Sequence, residues 1–145
     1  MESVEEKKRL ILDLIRKSEL GVISTVSSEA LPEAAVIGIS ETEDLTIFFG
    51  TFATSRKYAN LKLRPRAAFV IGWDKVTVQY EGMATELSGE EKERAIEAHI
   101  RKLPGSAKFA QLPEQRYFKV SPLWIRYTDL SDHSVYGGVF ELTFQ

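Results

Sequence analysis

Apolar and polar positions along the chain change rhythm several times, and each change marks an element. Over residues 3–17, Val4, Leu10, Ile11, Leu14 and Ile15 fall on one helical face, and Ser3 with Glu6 has capping-box spacing. This predicts an N-terminal helix. Strand-like runs follow at 20–26 (LGVISTV), 33–40 (EAAVIGIS) and 45–50 (LTIFFG), separated by the polar turns Ser27-Ser28-Glu29-Ala30 and Glu41-Thr42-Glu43-Asp44. Links of hairpin length make these three strands expected antiparallel neighbours.

A short helix is predicted over about 55–63, ending at Arg64-Pro65 because the residue before proline avoids the helical region. Residues 66–73 (RAAFVIGW) read as a strongly buried strand. After a tight turn at Asp74-Lys75, Val76, Val78, Tyr80 and Gly82 alternate with Thr77, Gln79 and Glu81 in a strand over 76–87. Ser88-Gly89-Glu90-Glu91 has the form of a second capping box and opens a helix over about 89–102, with Ile96, Ile100 and Leu103 on its apolar side and Glu90 to Glu97 on a solvated face. Pro104-Gly105 stops it, and 105–115 reads as loop. Residues 117–128 (YFKVSPLWIRYT) form a strand interrupted at Pro122, by a bulge or at an edge. A polar turn from Asp129 to Ser134 leads to a last strand at 135–144, where Gly137-Gly138 either admits a close backbone approach or only kinks the strand. Six or seven strands in hairpins with three helices predict one mainly-β domain over 1–145, an antiparallel barrel with flanking helices.

Composition narrows the chemistry. The net charge is −2 and the isoelectric point about 5.8, so no global field draws the protein to nucleic acid. There are no cysteines, which excludes disulfides, thiolate zinc sites and cysteine nucleophiles. The N-terminus is acidic and amphipathic, unlike a secretory signal, and no apolar run approaches the roughly 20 residues that span a bilayer. A cytoplasmic protein without membrane contact is expected.

The run Thr54-Ser55-Arg56-Lys57-Tyr58-Ala59-Asn60-Leu61 changes the picture most. Thr54 or Ser55 can cap the helix, with Tyr58, Leu61 and Ala59 towards the core. Arg56 and Lys57 then occupy the first turn, where the helix dipole is already positive and a cation costs from a few tenths to about 1 kcal/mol. A bound anion reverses that sign, because backbone N–H groups, hydroxyls, a guanidinium and an ammonium converge on it. The basic run continues through Lys62, Arg64 and Arg66, with no acid between Thr54 and Arg66. The competing reading is a solvated basic helix.

The segment FFGTFATSRKYANLKLRPRAAFVIGW, with its Thr, its Ser-Arg-Lys triplet, its Leu and a Pro-Arg before a strand ending in Trp, resembles the flavin mononucleotide (FMN)-binding split-barrel family. That family comprises pyridoxamine 5′-phosphate oxidase and its smaller relatives, often described as general stress proteins. The strand-like RYFKVSPLWIRY is similar to the family's C-terminal strand, and the resemblance extends over about residues 5–144. It implies a six-stranded antiparallel split barrel, FMN as cofactor, and a homodimer with flavin between the subunits. It implies that Ser55, Arg56 and Lys57 grip the phosphate, that Thr51 reaches the phosphate or ribityl chain, and that Val36, Ile37 and Gly38 run beside the ring. Trp73, Gln79 and Trp124 are then assigned to the pocket wall or to the second subunit's contribution.

The chain departs from the oxidase pattern in places. An arginine that also holds phosphate in the oxidases corresponds to Ala35, and Lys62, Arg64 or Arg66 are alternative sources of that third charge. The ring-contacting glutamine corresponds to Gln79 or, counted from Gly82, to Thr77. The oxidases' extended C-terminal substrate motif has no clear counterpart before Gln145, so vitamin oxidase activity is not expected. The expected activity is flavin-dependent oxidoreduction of a small molecule, with no catalytic side chain singled out and a nicotinamide as one candidate donor. Alternatives are a non-enzymatic flavin-binding or flavin-sensing protein, a deazaflavin reductase, which should want more cations along the groove, an apo dimer acting as an interaction module, and a haem-binding relative with His133 as candidate ligand. His99 reads as a packing histidine, and Ser131-Asp132-His133-Ser134 is crowding without triad geometry. Two distant histidines make no metal site.

Overall fold

The computed structural model describes residues 3–131 and 138–145. Helix α1 (Val4–Lys17) carries the expected capping box: Glu6 N donates to Ser3 Oγ and Ser3 N to the Glu6 carboxylate. Strands β1 (Leu20–Val26) and β2 (Pro32–Gly38) form an antiparallel hairpin that pairs Ile23 with Ala35. The remaining elements are β3 (Ser40–Glu41), β4 (Ile47–Phe52), α2 (Arg56–Leu63), β5 (Arg66–Ile71), β6 (Val76–Glu86), α3 (Gly89–Lys102), a 3₁₀ helix at Pro104–Phe109, β7 (Gln115–Asp129) and β8 (Gly138–Thr143). The 3₁₀ helix occupies what the sequence suggested was loop. The Asp132–His133–Ser134 turn and Gly137 lie outside the described residues. Among the described residues no helix is long and apolar enough to cross a membrane.

The sheet order is β2-β1-β5-β6-β7-β4-β3, with β8 beside the far half of β7. This corrects the expected three-strand meander. The segment 33–40 does not pair along its length with the strand that follows it. It breaks at Ile39, whose N–H donates to Glu19 O. Before the break it pairs with β1, and after it Ser40 and Glu41 pair with Phe48 and Ile47 of β4. The first and last strands of the sheet are thus consecutive pieces of one segment, so the sheet curls shut into a split barrel. Ile39 is fully buried, which stabilises the corner apolarly.

The interior matches the alternation read from the sequence. Ile23, Ile47, Phe49, Phe69, Ile71, Val78, Tyr80, Phe118, Val120 and Ile125 point inward, with Ile11, Leu14 and Ile15 of α1 packed on them. Phe49 stacks on Phe118 at 5.3 Å. Strand β5, expected to be buried throughout, hides only one side; Val70 on its outer side is 41% exposed. The Pro122 interruption is a bulge: Glu81 faces Trp124 and Gly82 faces Pro122, which leaves Leu123 as the extra residue. The second capping box does not form, since Ser88 makes no side-chain cap bond and Glu91 instead reaches Lys119 Nζ at 2.6 Å. Ala95 and His99, rather than Ile96 and Ile100, are the fully buried residues of α3.

Two buried polar groups sit inside this packing. The Tyr80 hydroxyl lies 2.7 Å from Leu45 O and 2.8 Å from Val120 O and ties the turn before β4 to β7. Leu45 has a φ of 71°, a strained value for a buried aliphatic residue. His99 Nδ1 lies 2.7 Å from Ser40 Oγ, and its ring meets the edge of Tyr117. Burial, aided by the Lys102 ammonium, pushes the His99 imidazole down to about 4.

Tyr80→Phe removes the hydroxyl that reaches both carbonyls and is expected to lower stability by about 1–3 kcal/mol in urea denaturation, with an unchanged slope. For His99 the folded value lies below that of the unfolded chain, near 6.5. The unfolded state therefore binds more protons between about pH 6.5 and 4, and stability falls as pH falls through that window. Wild type is expected to lose roughly 1–3 kcal/mol more than His99→Gln between pH 7 and 4.5. Parallel denaturation curves for the two proteins would refute this.

Candidate functional site

The site forms where β4 runs into α2. Ser55 is the N-cap, and its hydroxyl accepts from Tyr58 N at 3.2 Å. Thr51, at the inward-facing end of β4, places Oγ1 2.8 Å from Ser55 Oγ. Lys57 Nζ stands 3.5 Å from Thr51 Oγ1. The first turn contains no acidic residue, as the sequence indicated. Ser55, Thr51 and Lys57 therefore converge at a positive helix end.

The rest of the basic run is held by groups from elsewhere in the chain, by carboxylates for Arg56, Lys62 and Arg66 and by a backbone carbonyl for Arg64. Arg56 pairs with Glu33 of β2. Lys62 Nζ lies 3.1 Å and the Tyr58 hydroxyl 2.8 Å from Glu86 Oε1, and Arg66 pairs with Glu81 at 2.8 Å. Arg64 donates to Ser27 O. None of Lys62, Arg64 and Arg66 lines the cavity at Lys57. Among the described residues Lys57 alone of this run has no carboxylate or backbone carbonyl partner, and burial lowers its ammonium below the usual lysine range.

The cavity at this helix end measures about 420 Å³ and is lined by Ile23, Thr25, Glu33, Ala35, Arg56 and Lys57, among others. Ala35 stands in its wall, so the strand offers a methyl group where an arginine was considered. Three lining or supporting residues escaped the sequence reading. Glu33 accepts from Asn60 Nδ2 at 2.8 Å, and Asn60 also donates to Thr25 Oγ1 at 2.9 Å. Asn60, not Ala59, is the buried polar residue of α2. No local pattern marks these residues, because they come from β1, β2 and the second turn of α2. The hydrogen bonds from Arg56 and Asn60 hold the Glu33 carboxyl below its usual range.

The other expected site residues are scattered over the barrel. Val36 is 62% exposed on the outer side of β2, whereas Ile37 faces the core. Gly38 borders a second cavity of about 430 Å³, with Gly50, His99, Gln115, Tyr117 and Lys108. A side chain on Gly50 would collide with Gln115 Nε2, and one on Gly38 would press on Leu103. Gln79 and Trp124 meet in a shallow recess on the outer face of β6 and β7, beside Val22, Ala68 and Val70. Trp73 lies apart in the β5–β6 turn, 60% exposed, in a depression shared with Lys17 and Leu20. His133 lies outside the described residues. Among those described, no cluster of metal-binding side chains occurs.

No curated protein matches the sequence at a significant level. Solved structures with this fold include General Stress Protein 26 from Bacillus anthracis, 19% identical, with 95% of this chain and 98% of that one covered and a TM-score of 0.74. A heme binding protein from Mycobacterium smegmatis is 18% identical with a TM-score of 0.80; 99% of this chain is covered, but only 59% of that protein. HutZ, the heme storage protein from Vibrio cholerae, is 14% identical over 79% of this chain and 88% of its own, with a TM-score of 0.70. At these identities the likeness establishes the fold alone. The family profile described as Pyridoxamine 5′-phosphate oxidase matches residues 8–129, most of the barrel and the whole β4–α2 cradle, and the chain belongs to that family.

Proposed function

We propose that this protein binds flavin mononucleotide, with the phosphate at the β4–α2 junction, and acts as a flavin-dependent oxidoreductase on a small substrate. The observation that carries the reading is Lys57. A partly buried ammonium without a carboxylate partner, beside two hydroxyls and a helix N-terminus, is electrostatically unsatisfied. A phosphate fits this set: Lys57 supplies charge, Ser55 and Thr51 supply hydroxyl donors, and the first amides of α2 supply aligned dipoles. The flavin, when bound, supplies the hydride chemistry. The chain's contribution is to anchor one end of the ligand and to set its direction along β2. No side chain is assigned as acid or base.

A homodimer completes the proposal. Val22, Ala68, Val70, Gln79 and Trp124 form an outward apolar recess on the barrel wall, with Val36 and Met83 also exposed. A second barrel covering this face would bury it and bring Gln79 and Trp124 to the interface. Haem is the second reading, favoured by solved neighbours whose own descriptions name haem. The absorption spectrum of the purified protein separates flavin bands from a Soret band.

Flavin mononucleotide is expected to bind at least about tenfold tighter than riboflavin, since a charge-assisted hydrogen bond contributes about 1.5–3 kcal/mol. Equal affinities by calorimetry would rule out the phosphate cradle. Lys57→Ala should remove most of that preference without lowering the apo melting temperature, because it deletes a desolvated cation from a positive helix end. A large drop in apo stability would make Lys57 structural instead. Sedimentation at low micromolar concentration should give a dimer; a monomer that retains flavin would sink the shared-site arrangement.

A further inference from the structure

Glu33 is an unusual wall for an anion site. Three charged side chains line the cavity, Glu33, Arg56 and Lys57, and together they leave a single net positive charge. Glu33 cannot simply turn away. Its carboxylate accepts from Arg56 and from the buried Asn60 amide, which is itself fixed by Thr25, so a rotation would orphan a buried donor. An ionised carboxylate is acceptor-only. It repels a charged phosphate oxygen, and it tolerates only an oxygen that carries a proton or a carbon substituent.

We propose that Glu33 fixes the charge of the phosphate group this cradle accepts, selecting a singly charged phosphate, an ester of two alcohols or a protonated monoester, over a dianion. The proposal rests on the phosphate-binding reading above. Lys57 meets the one negative charge, the hydroxyls of Thr51 and Ser55 donate to the oxygens that bear it, and the uncharged oxygen faces Glu33. At pH 8 a phosphate monoester is a dianion, because its second ionisation lies near pH 6. An isosteric amide at position 33 keeps a carbonyl for Asn60 to donate to, but it removes both the charge and the acceptor that holds Arg56, so the charge is isolated by making the change in an Arg56→Ala background.

The test titrates three ligands that share one ring into wild type, Arg56→Ala and the double variant Arg56→Ala/Glu33→Gln at pH 8: riboflavin, flavin mononucleotide, and the methyl ester of flavin mononucleotide. In wild type the methyl ester is expected to bind at least as tightly as flavin mononucleotide. From Arg56→Ala to the double variant flavin mononucleotide should gain about tenfold, the scale of one like-charge contact near a surface. The methyl ester should change much less, and riboflavin not at all. If wild type prefers the phosphorylated flavins to riboflavin but the substitution shifts both of them equally or neither, the Glu33 assignment falls and the cradle stands. A gain shared by riboflavin also overturns it, since Glu33 would then act on the groove. If none of the three proteins prefers a phosphorylated flavin to riboflavin, the cradle reading and the Glu33 assignment both fall. The wild-type comparison needs no variant: a methyl ester bound about tenfold more weakly than flavin mononucleotide refutes the proposal by itself.

Discussion

Everything that makes a site in this molecule follows from the break at Ile39. A strand that stayed straight through residues 33–40 would keep β2 at a free edge of the sheet, with β4 at the opposite edge. Because the segment instead turns at a fully buried isoleucine, its first part pairs with β1 and its last two residues with β4. Closure brings the end of β4 and the start of α2 against the side of β2. Only then does Arg56 meet Glu33, and only then does Lys57 share a cavity with Ala35.

The electrostatics of the cradle are a balance of local and distant charge. Local sequence places two cations at the positive end of a helix, an arrangement that is unfavourable by itself. The fold compensates one of them with Glu33 and leaves the other with hydroxyls alone. Surface pairs such as Lys62 with Glu86 and Arg66 with Glu81 contribute little to stability, being exposed and screened. Their consequence is to occupy cations that would otherwise compete for the same anion. The residual attraction is therefore concentrated at one ammonium, which gives the site direction as well as charge.

Stability and site chemistry are drawn from different parts of the barrel. The stacked and edge-packed rings of Phe49, Phe69, Tyr80 and Phe118 form the rigid interior. The polar residues that shape the cradle lie at the end of β4, on one side of α2 and on the neighbouring β1 and β2. Tyr58 links the two, with its ring edge on Phe118 and its hydroxyl on Glu86. Substitutions in the cradle can thus change charge without emptying the core.

The sequence by itself determined the period-based features. The capped first helix, the alternation through Val78 and Tyr80, the bulge at Pro122 and the Ser55 cap all arise from spacing within a few residues, where propensity and periodicity act directly. The Ser-Arg-Lys triplet was legible for the same reason. Tertiary structure alone decided which cations remain uncompensated. The absence of acids between Thr54 and Arg66 suggested a broad basic surface, yet Glu33, Glu81 and Glu86 reach it from other strands. It also decided that residues 33–40 split between two neighbours, that Ser88 gives up its capping partner to Lys119, and that Asn60 is buried while Ala59 is not. Each of these depends on which strands close the barrel. That choice is made by long-range pairing and burial, and no window of sequence contains both partners.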